Sequence, residues 1–164
     1  MQLFISVQRI RNQRQELILN AVLEFLQQAG IETVMLNRDV TTEAFADPMP
    51  HIREALLTCQ AAVVIAFTRL DIPISIEYPG ATYAVSHAMR RYCSVWSQIE
   101  TAMAFQAGLP LLVFQDEDLF QQGAVNIRRT SYPVLSLPLD YNQPTLQQFI
   151  TISLEEWLRD LVGT

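Results

Sequence analysis

The chain has 164 residues, of which 50% are hydrophobic and 17% are charged, and its formal net charge is −6. This length favours one domain spanning residues 1–164 with a sizeable core, and the acidic balance argues against a broad nucleic-acid surface. All 11 residues counted as Lys or Arg are arginines, so phosphate or carboxylate groups would be met by arginine forks.

The first half of the chain alternates apolar strands with one-sided helices. A short strand covers Leu3 to Val7, and apolar residues at helical spacing predict a helix from Gln13 to Ala29 that stops at Gly30. A second strand, 31–36, is followed by a polar connection and a short helix with Ile52 and Leu56 on one face. Residues 61–67 form a continuous apolar run, which is typical of a strand buried on both faces.

The second half opens with a long connection, roughly residues 68–92, that contains Pro73, Pro79 and Gly80. Loops of this length inside compact domains are usually functional or disordered. After it we expect a helix at 94–107, a strand at 110–114, a short helix near 116–125 and a strand near 132–139. A terminal amphipathic helix completes the series, and its predicted inward residues are Leu146, Phe149, Ile150, Leu154, Trp157, Leu158 and Leu161.

Strand and helix alternate five times, which predicts a doubly wound α/β fold. We expect a five-stranded parallel sheet in the flavodoxin-like order 2-1-3-4-5, with helices on both faces. In such sheets ligands bind at the carboxyl ends of the strands where the strand order reverses, here between strands 1 and 3. The loops that leave these strands carry Arg9, Arg11 and Arg69. The helix containing Glu100 is expected to start at the same crevice.

Glu100 has two interpretations from spacing alone. The run "SQIE", Ser97 to Glu100, matches a capping box in which Glu100 only closes the first helical turn. If Ser94 is the cap instead, Glu100 lies nearly two turns in and shares a face with Trp96. An acid beside an indole and near arginines could hold a ribose and stabilise positive charge on it, which N-glycosidic cleavage requires.

Several stretches in this order resemble the landmarks of a Toll/interleukin-1 receptor (TIR) domain: "LFISVQ", "NRD", "IREALLTCQAAVVIAF" and "SVWSQIE". The phrase "IETAMAFQAGLPLLVF" is also similar to nucleoside 2-deoxyribosyltransferases, which have a related fold. The resemblance spans roughly residues 2–115. It implies cleavage of the N-glycosidic bond of NAD or a related nucleotide. The alternative is a non-catalytic nucleotide-binding or self-assembling signalling module of the same fold.

The resemblance assigns roles residue by residue. Glu100 matches the catalytic glutamate, Trp96 and Ser94 match the tryptophan and serine before it, and Ser97 stands where TIR domains have cysteine. Substrate-binding residues would be Phe4, Ser6, Arg9, Arg11, Arg69, Ser94 and Trp96, with the arginines meeting phosphates. Arg38 and Asp39 match an Arg-Asp pair of the family. The expected partner is a nucleotide-like small molecule, with no cofactor, and self-association into a homo-oligomer is compatible with the resemblance.

We expect no catalytic or metal-binding role for the cysteines and histidines. Cys59 and Cys93 lack zinc-site and disulfide spacing and are expected to be buried thiols. His51 and His87 lie far apart without ligand spacing, so no metal site is expected. The N-terminal run "MQLFISVQ" has the pattern of a strand rather than that of a signal peptide, so we expect no signal peptide, and no apolar run reaches the length of a membrane span. We therefore expect a reducing, cytoplasmic location and no membrane partner.

Overall fold

The computed structural model describes residues 1–36, 47–126 and 131–163. Within these ranges the strands are β1 (Gln2–Val7), β2 (Glu32–Val34), β3 (Ala61–Ala66), β4 (Leu70–Glu77), β5 (Val85–Tyr92), β6 (Leu111–Asp116) and β7 (Val134–Leu137). The helices are α1 (Gln13–Gln28), α2 (Pro48–Thr58), α3 (Val95–Gln106) and α4 (Gln143–Val162), with a short 3-10 helix at Gly123–Val125. The predicted Arg38-Asp39 landmark lies outside the described residues.

Five of the strands form a parallel sheet in the order β2-β1-β3-β6-β7. This is the flavodoxin-like order predicted from the sequence, because β6 and β7 are the fourth and fifth strands of that sheet. The middle strand β3 pairs with β1 and β6, and all its residues are buried. The apolar run of β3 is therefore explained by helices covering both faces of the sheet.

Two layers of helices cover the sheet. Helices α1 and α4 pack on one face against alternate residues of β1, β3 and β6, and α2 and α3 pack on the other. The predicted inward face of α4 is confirmed, with Leu146, Ile150, Leu154 and Trp157 buried. Gly30 ends α1 with a φ of 69°, a left-handed conformation that glycine adopts without steric penalty.

The prediction of a long loop at residues 68–92 is wrong. This segment folds into the antiparallel hairpin β4–β5. The isoleucines of β4 recur at alternate positions, and this period suits a strand. Pro73 is tolerated because a two-stranded hairpin consists of edge strands, in which one N–H is not needed for pairing.

A second expectation, a helix at 116–125, is also wrong. The chain makes a turn in which the Leu119 N–H donates to the Asp116 carbonyl, and only Gly123–Val125 is helical, as one 3-10 turn. Gly123 has a φ of 61°, and a residue in that conformation interrupts an α-helix. None of the helices among the described residues is long and apolar enough to cross a bilayer.

Candidate active site

The start of α3 decides between the two interpretations of Glu100. Ser94 is the N-cap, and its hydroxyl accepts the N–H of Trp96 at 3.2 Å. Ser97 lies inside the helix and is buried, and its carbonyl accepts the Thr101 hydroxyl at 2.5 Å. The Ser97 capping box is therefore wrong. Glu100 lies in the second turn of α3, six residues after the N-cap, so it cannot form a capping box with Ser94.

Glu100 points at the sheet rather than at solvent. Its side chain is 1% exposed, and its Oε2 accepts a hydrogen bond from the hydroxyl of Ser6, which is 2% exposed. Ser6 is near the carboxyl end of β1 and pairs with Val64 of β3, at the point where the strand order reverses. Burying a carboxylate lowers stability unless hydrogen bonds replace water. The position of Glu100 therefore needs an explanation other than helix stability.

The other predicted site residues fall into two groups. Arg9, Arg11 and Arg69 are exposed, on the segments that leave the carboxyl ends of β1 and β3. The Arg69 N–H donates to the Tyr92 carbonyl at 2.7 Å, which holds Arg69 at the base of the hairpin. These placements bring the three arginines to the carboxyl edge of the sheet. Phosphate binding by them stays a prediction.

The second group, Phe4, Trp96 and Ser94, lies within the fold, on β1 and at the start of α3. Phe4 is fully buried in the cluster beneath α2 and α3, one residue pair deeper in the sheet than Ser6 on the same face. Trp96 is partly buried and packs against that cluster, and Ser94 caps α3. Binding of substrate by these three side chains stays a prediction, and their observed contacts are structural.

An ion pair at the same edge was not predicted from the sequence. Asp116, the last residue of β6, accepts hydrogen bonds from Arg14 at 2.7 Å and from the Thr68 N–H at 2.7 Å. Arg14 also donates to the carbonyls of Leu137 and Pro138. This cluster ties α1 to the carboxyl ends of β3, β6 and β7. An acid at the end of an apolar strand was its only signal in the sequence.

Two buried glutamine amides were also missed. Gln8 follows β1, and its Nε2 donates to the Thr68 carbonyl at 3.3 Å, while its Oε1 has no hydrogen-bond partner in the described chain. Gln115 is on β6 and is 0% exposed. Neither atom of its amide has a hydrogen-bond partner among the described residues. A glutamine directly after the apolar residues of β6 was the available signal.

The hairpin is attached to this edge through its base. The Arg91 side chain pairs with Asp71 at 2.9 Å and with Asp118, and the Arg91 carbonyl accepts the Phe120 N–H at 2.7 Å. The Arg90 guanidinium lies 3.9 Å from the centroid of the Phe120 ring. The base of the hairpin therefore contacts the segment after β6.

The cysteines are confirmed as buried free thiols. Burial raises the pKa of both Cys59 and Cys93, and the hydrogen bonds with Thr58 and Gln98 oppose that shift without cancelling it. Raised thiol pKa values disfavour the nucleophilic thiolate. No group of metal-ligating side chains that could hold an ion occurs within residues 1–36, 47–126 and 131–163.

Known proteins resemble this chain in structure but not in sequence. No protein-family model matches the sequence, and no curated protein matches it. The structure is similar to the CMP N-glycosidase of Clostridium botulinum, with a TM-score of 0.54 and 13% identity, covering 93% of this chain and 99% of that chain.

Two further solved structures are similar at lower scores. A 2-deoxyribosyltransferase of Bacillus psychrosaccharolyticus has a TM-score of 0.46 and 11% identity, covering 89% of this chain and 96% of that one. The Flv1 flavodiiron core of Synechocystis has a TM-score of 0.49 and 11% identity, covering 94% of this chain and 36% of that one. The likeness to the N-glycosidase establishes a shared α/β fold.

Proposed function

We propose that the chain cleaves the N-glycosidic bond of a nucleoside or nucleotide, with Glu100 as the catalytic carboxylate. The observation that carries the proposal is the buried Ser6–Glu100 pair at the point where the strand order reverses. Ligands of doubly wound sheets bind at that point. The sequence resemblance and the fold shared with a CMP N-glycosidase support the same chemistry.

The chemistry requires a negative charge beside the anomeric carbon. As the bond between C1′ and the base nitrogen breaks, its electron pair leaves with the base and C1′ becomes oxocarbenium-like. Glu100 stabilises that positive charge. Water then adds its oxygen to C1′ and loses a proton. A nucleobase that leaves as an anion takes up one proton, which balances the step, whereas nicotinamide leaves NAD as a neutral molecule and the proton passes to solvent. An ionised carboxylate only accepts hydrogen bonds, so the Ser6 hydroxyl donates and fixes its orientation.

The arginines at the carboxyl edge suggest the substrate class. A 5′-phosphate or a pyrophosphate would be met by forked hydrogen bonds from Arg9, Arg11 or Arg69. A nucleoside monophosphate and NAD both satisfy this requirement. The proposal therefore covers nucleotides as a class, with NAD as one member.

Glu100→Gln tests the proposal. The substitution keeps the size of the side chain and removes its charge. We expect the release of base to fall at least a hundredfold, because each 1.36 kcal/mol lost from the transition state is about tenfold in rate. The thermal midpoint should stay unchanged or rise, since a buried charge is removed. Released base would be measured by mass spectrometry over a panel of nucleosides, nucleotides and NAD.

Glu24→Gln is a matched control, because Glu24 is an exposed glutamate on α1. It should leave both turnover and the thermal midpoint unchanged. Wild-type protein that releases no base from any member of the panel would contradict the proposal. Equal turnover in the wild type and the Glu100→Gln variant would contradict the assignment of Glu100.

The assembly alternative is supported by a different region. Ile74 and Ile76 of the hairpin are exposed large aliphatic residues, and exposed apolar patches often mark interaction sites. A self-assembling module should associate whether or not a nucleotide is present. Sedimentation velocity with and without nucleotide measures this directly and separates assembly from turnover.

A further inference from the structure

The amide of Gln115 is a buried polar group of the described chain whose two polar atoms both lack a hydrogen-bond partner. The residue is 0% exposed. A buried amide without partners costs more stability than an apolar side chain of the same shape. Native proteins satisfy the great majority of such groups, so each exception needs an explanation.

The strand register shows which face carries this amide. Gln115 pairs with Ala66 on one side and with Ser136 on the other. Val113, two residues earlier on β6, belongs to the cluster beneath α2 and α3. Because side chains alternate along a strand, Gln115 faces the same side of the sheet as Ser6 and Glu100. Its two neighbours in the sheet, Ala66 and Ser136, are both small and leave room beside the amide.

The spacing to the catalytic pair follows from the same register. Gln115 is separated from Ser6 by two strand spacings and lies one same-face step nearer the carboxyl edge. With strands about 4.8 Å apart and same-face residues about 6.6 Å apart, the two Cα atoms are separated by about 12 Å. A nucleotide with its sugar at Glu100 and its base extending along the carboxyl edge from β1 toward β6 would bring the base close to Gln115. The second under-satisfied amide, Gln8, follows β1 at the near end of the row.

From this arrangement we infer that Gln115 is the residue that recognises the base of the substrate. The inference rests on the proposed function and deepens it. A carboxamide offers a donor and an acceptor side by side, so it matches a base edge that presents an acceptor next to a donor. Every nucleobase has such an edge, and the order of the two groups, which is opposite in cytosine and uracil, decides which base fits a given orientation of the amide. Hydrogen bonds to such a base would satisfy both atoms of the amide. Because the side chain is sealed from bulk solvent, binding requires local opening at this edge.

Gln115→Met tests the inference, with Gln27→Met on the exposed end of α1 as the matched control. Methionine has nearly the same length and cannot form either hydrogen bond. We expect the ratio of kcat/KM between the best and the worst base of a panel to fall at least tenfold, because a site built for hydrogen bonds discriminates strongly through them. The panel consists of the four ribonucleoside 5′-monophosphates and NAD.

A second measurement separates recognition from a structural role. If the Gln115 amide forms hydrogen bonds only with a bound ligand, Gln115→Met should leave the thermal midpoint of the ligand-free protein unchanged or raise it, because an unsatisfied buried amide is removed. A clear fall in the midpoint would show that the amide serves the fold, and this would overturn the inference. Gln27→Met should change neither the midpoint nor the base preference.

Binding on the Glu100→Gln background distinguishes the failure of this inference from the failure of the proposed function. Calorimetric titration of that variant with the same nucleotides, with and without Gln115→Met, reports base preference without turnover. An unchanged preference after Gln115→Met overturns the inference alone, and base release by the wild type would still stand. If Gln115→Met abolishes the base preference in the titration but the wild type releases no base, the role of Gln115 in recognition is supported and only the proposed glycosidase activity is overturned. Failure of the wild type to bind any member of the panel overturns both.

Discussion

The Ser6–Glu100 contact and the β4–β5 hairpin depart in opposite ways from the usual distribution of polar and apolar side chains. In the first a carboxylate is 1% exposed, and in the second Ile74 is 70% exposed. The buried carboxylate lowers stability, and the exposed isoleucine adds little to it. The parallel sheet therefore supplies the stability that keeps a polar pair buried. We therefore expect the hairpin to contribute little to folding and to be available for another contact.

The largest expected effect concerns apolar burial in the two regions. Ile65→Ala in β3, where the side chain is 0% exposed, should lower the free energy of unfolding by about 3 kcal/mol, because it leaves a cavity in a close-packed core. Ile74→Ala, the same substitution in the hairpin, should change it by less than about 0.5 kcal/mol. Urea unfolding followed by tryptophan fluorescence measures both values. Equal losses would show that the hairpin is part of the cooperative core.

The next effect concerns charge. Asp116 has a side chain only 6% exposed and pairs with Arg14, which is 26% exposed. Arg14→Met should therefore lower the free energy of unfolding by about 2 kcal/mol, below the full value for a buried pair because Arg14 is partly solvated. On the hairpin, Glu77→Gln removes the acid of a solvated pair and should change global stability only marginally. The same urea titrations apply, and a near-zero loss for Arg14→Met would show that water replaces the guanidinium.

The smallest effect is a pH dependence confined to the hairpin. The hydrogen bond from His87 lowers the pKa of Glu77, and Arg90 lowers it further. Because the folded pKa is depressed, the ionised form stabilises the hairpin above the ordinary pKa range of a glutamate. That contribution is lost as the pH falls through the lowered folded pKa. Amide hydrogen exchange should therefore show β4 and β5 becoming less protected in acid before β3 does.

Glu77→Gln isolates this carboxylate from the others that titrate in acid. In the variant, the acid-induced loss of protection in β4 and β5 should be smaller than in the wild type, while protection of β3 follows the same curve in both. Identical curves for the hairpin in the two proteins would mean that Glu77 does not control its order.

The parallel sheet was predictable because its signals are local. The apolar run of β3 and the helical period of α1 and α4 each indicate one element, and alternation of strand and helix then fixes the order. The hairpin was missed because Pro73, Pro79 and Gly80 are typical of loops. Its opposing signal, isoleucine at alternate positions, was short. Whether such a segment pairs with itself depends on contacts that the sequence does not display.

The site was predictable only in part for the same reason. Topology and resemblance together indicated Glu100 and the crevice between strands 1 and 3. The cap could not be assigned from spacing, because Ser94 and Ser97 are both good capping residues and only packing against the sheet excludes Ser97. Asp116 and Gln115 stand out as polar residues at the end of an apolar strand. Their partners, or the lack of partners, follow from the tertiary structure alone.

The hydrogen bond between the Arg69 N–H and the Tyr92 carbonyl, 2.7 Å long, has an evolutionary consequence. The two ends of the hairpin meet, so the chain leaves and re-enters the domain at almost the same place. An insertion with adjoining ends can lengthen, shorten or disappear without altering the path from β3 to α3. The hairpin can therefore diversify its surface under selection for new contacts while Ser6 and Glu100 keep their geometry.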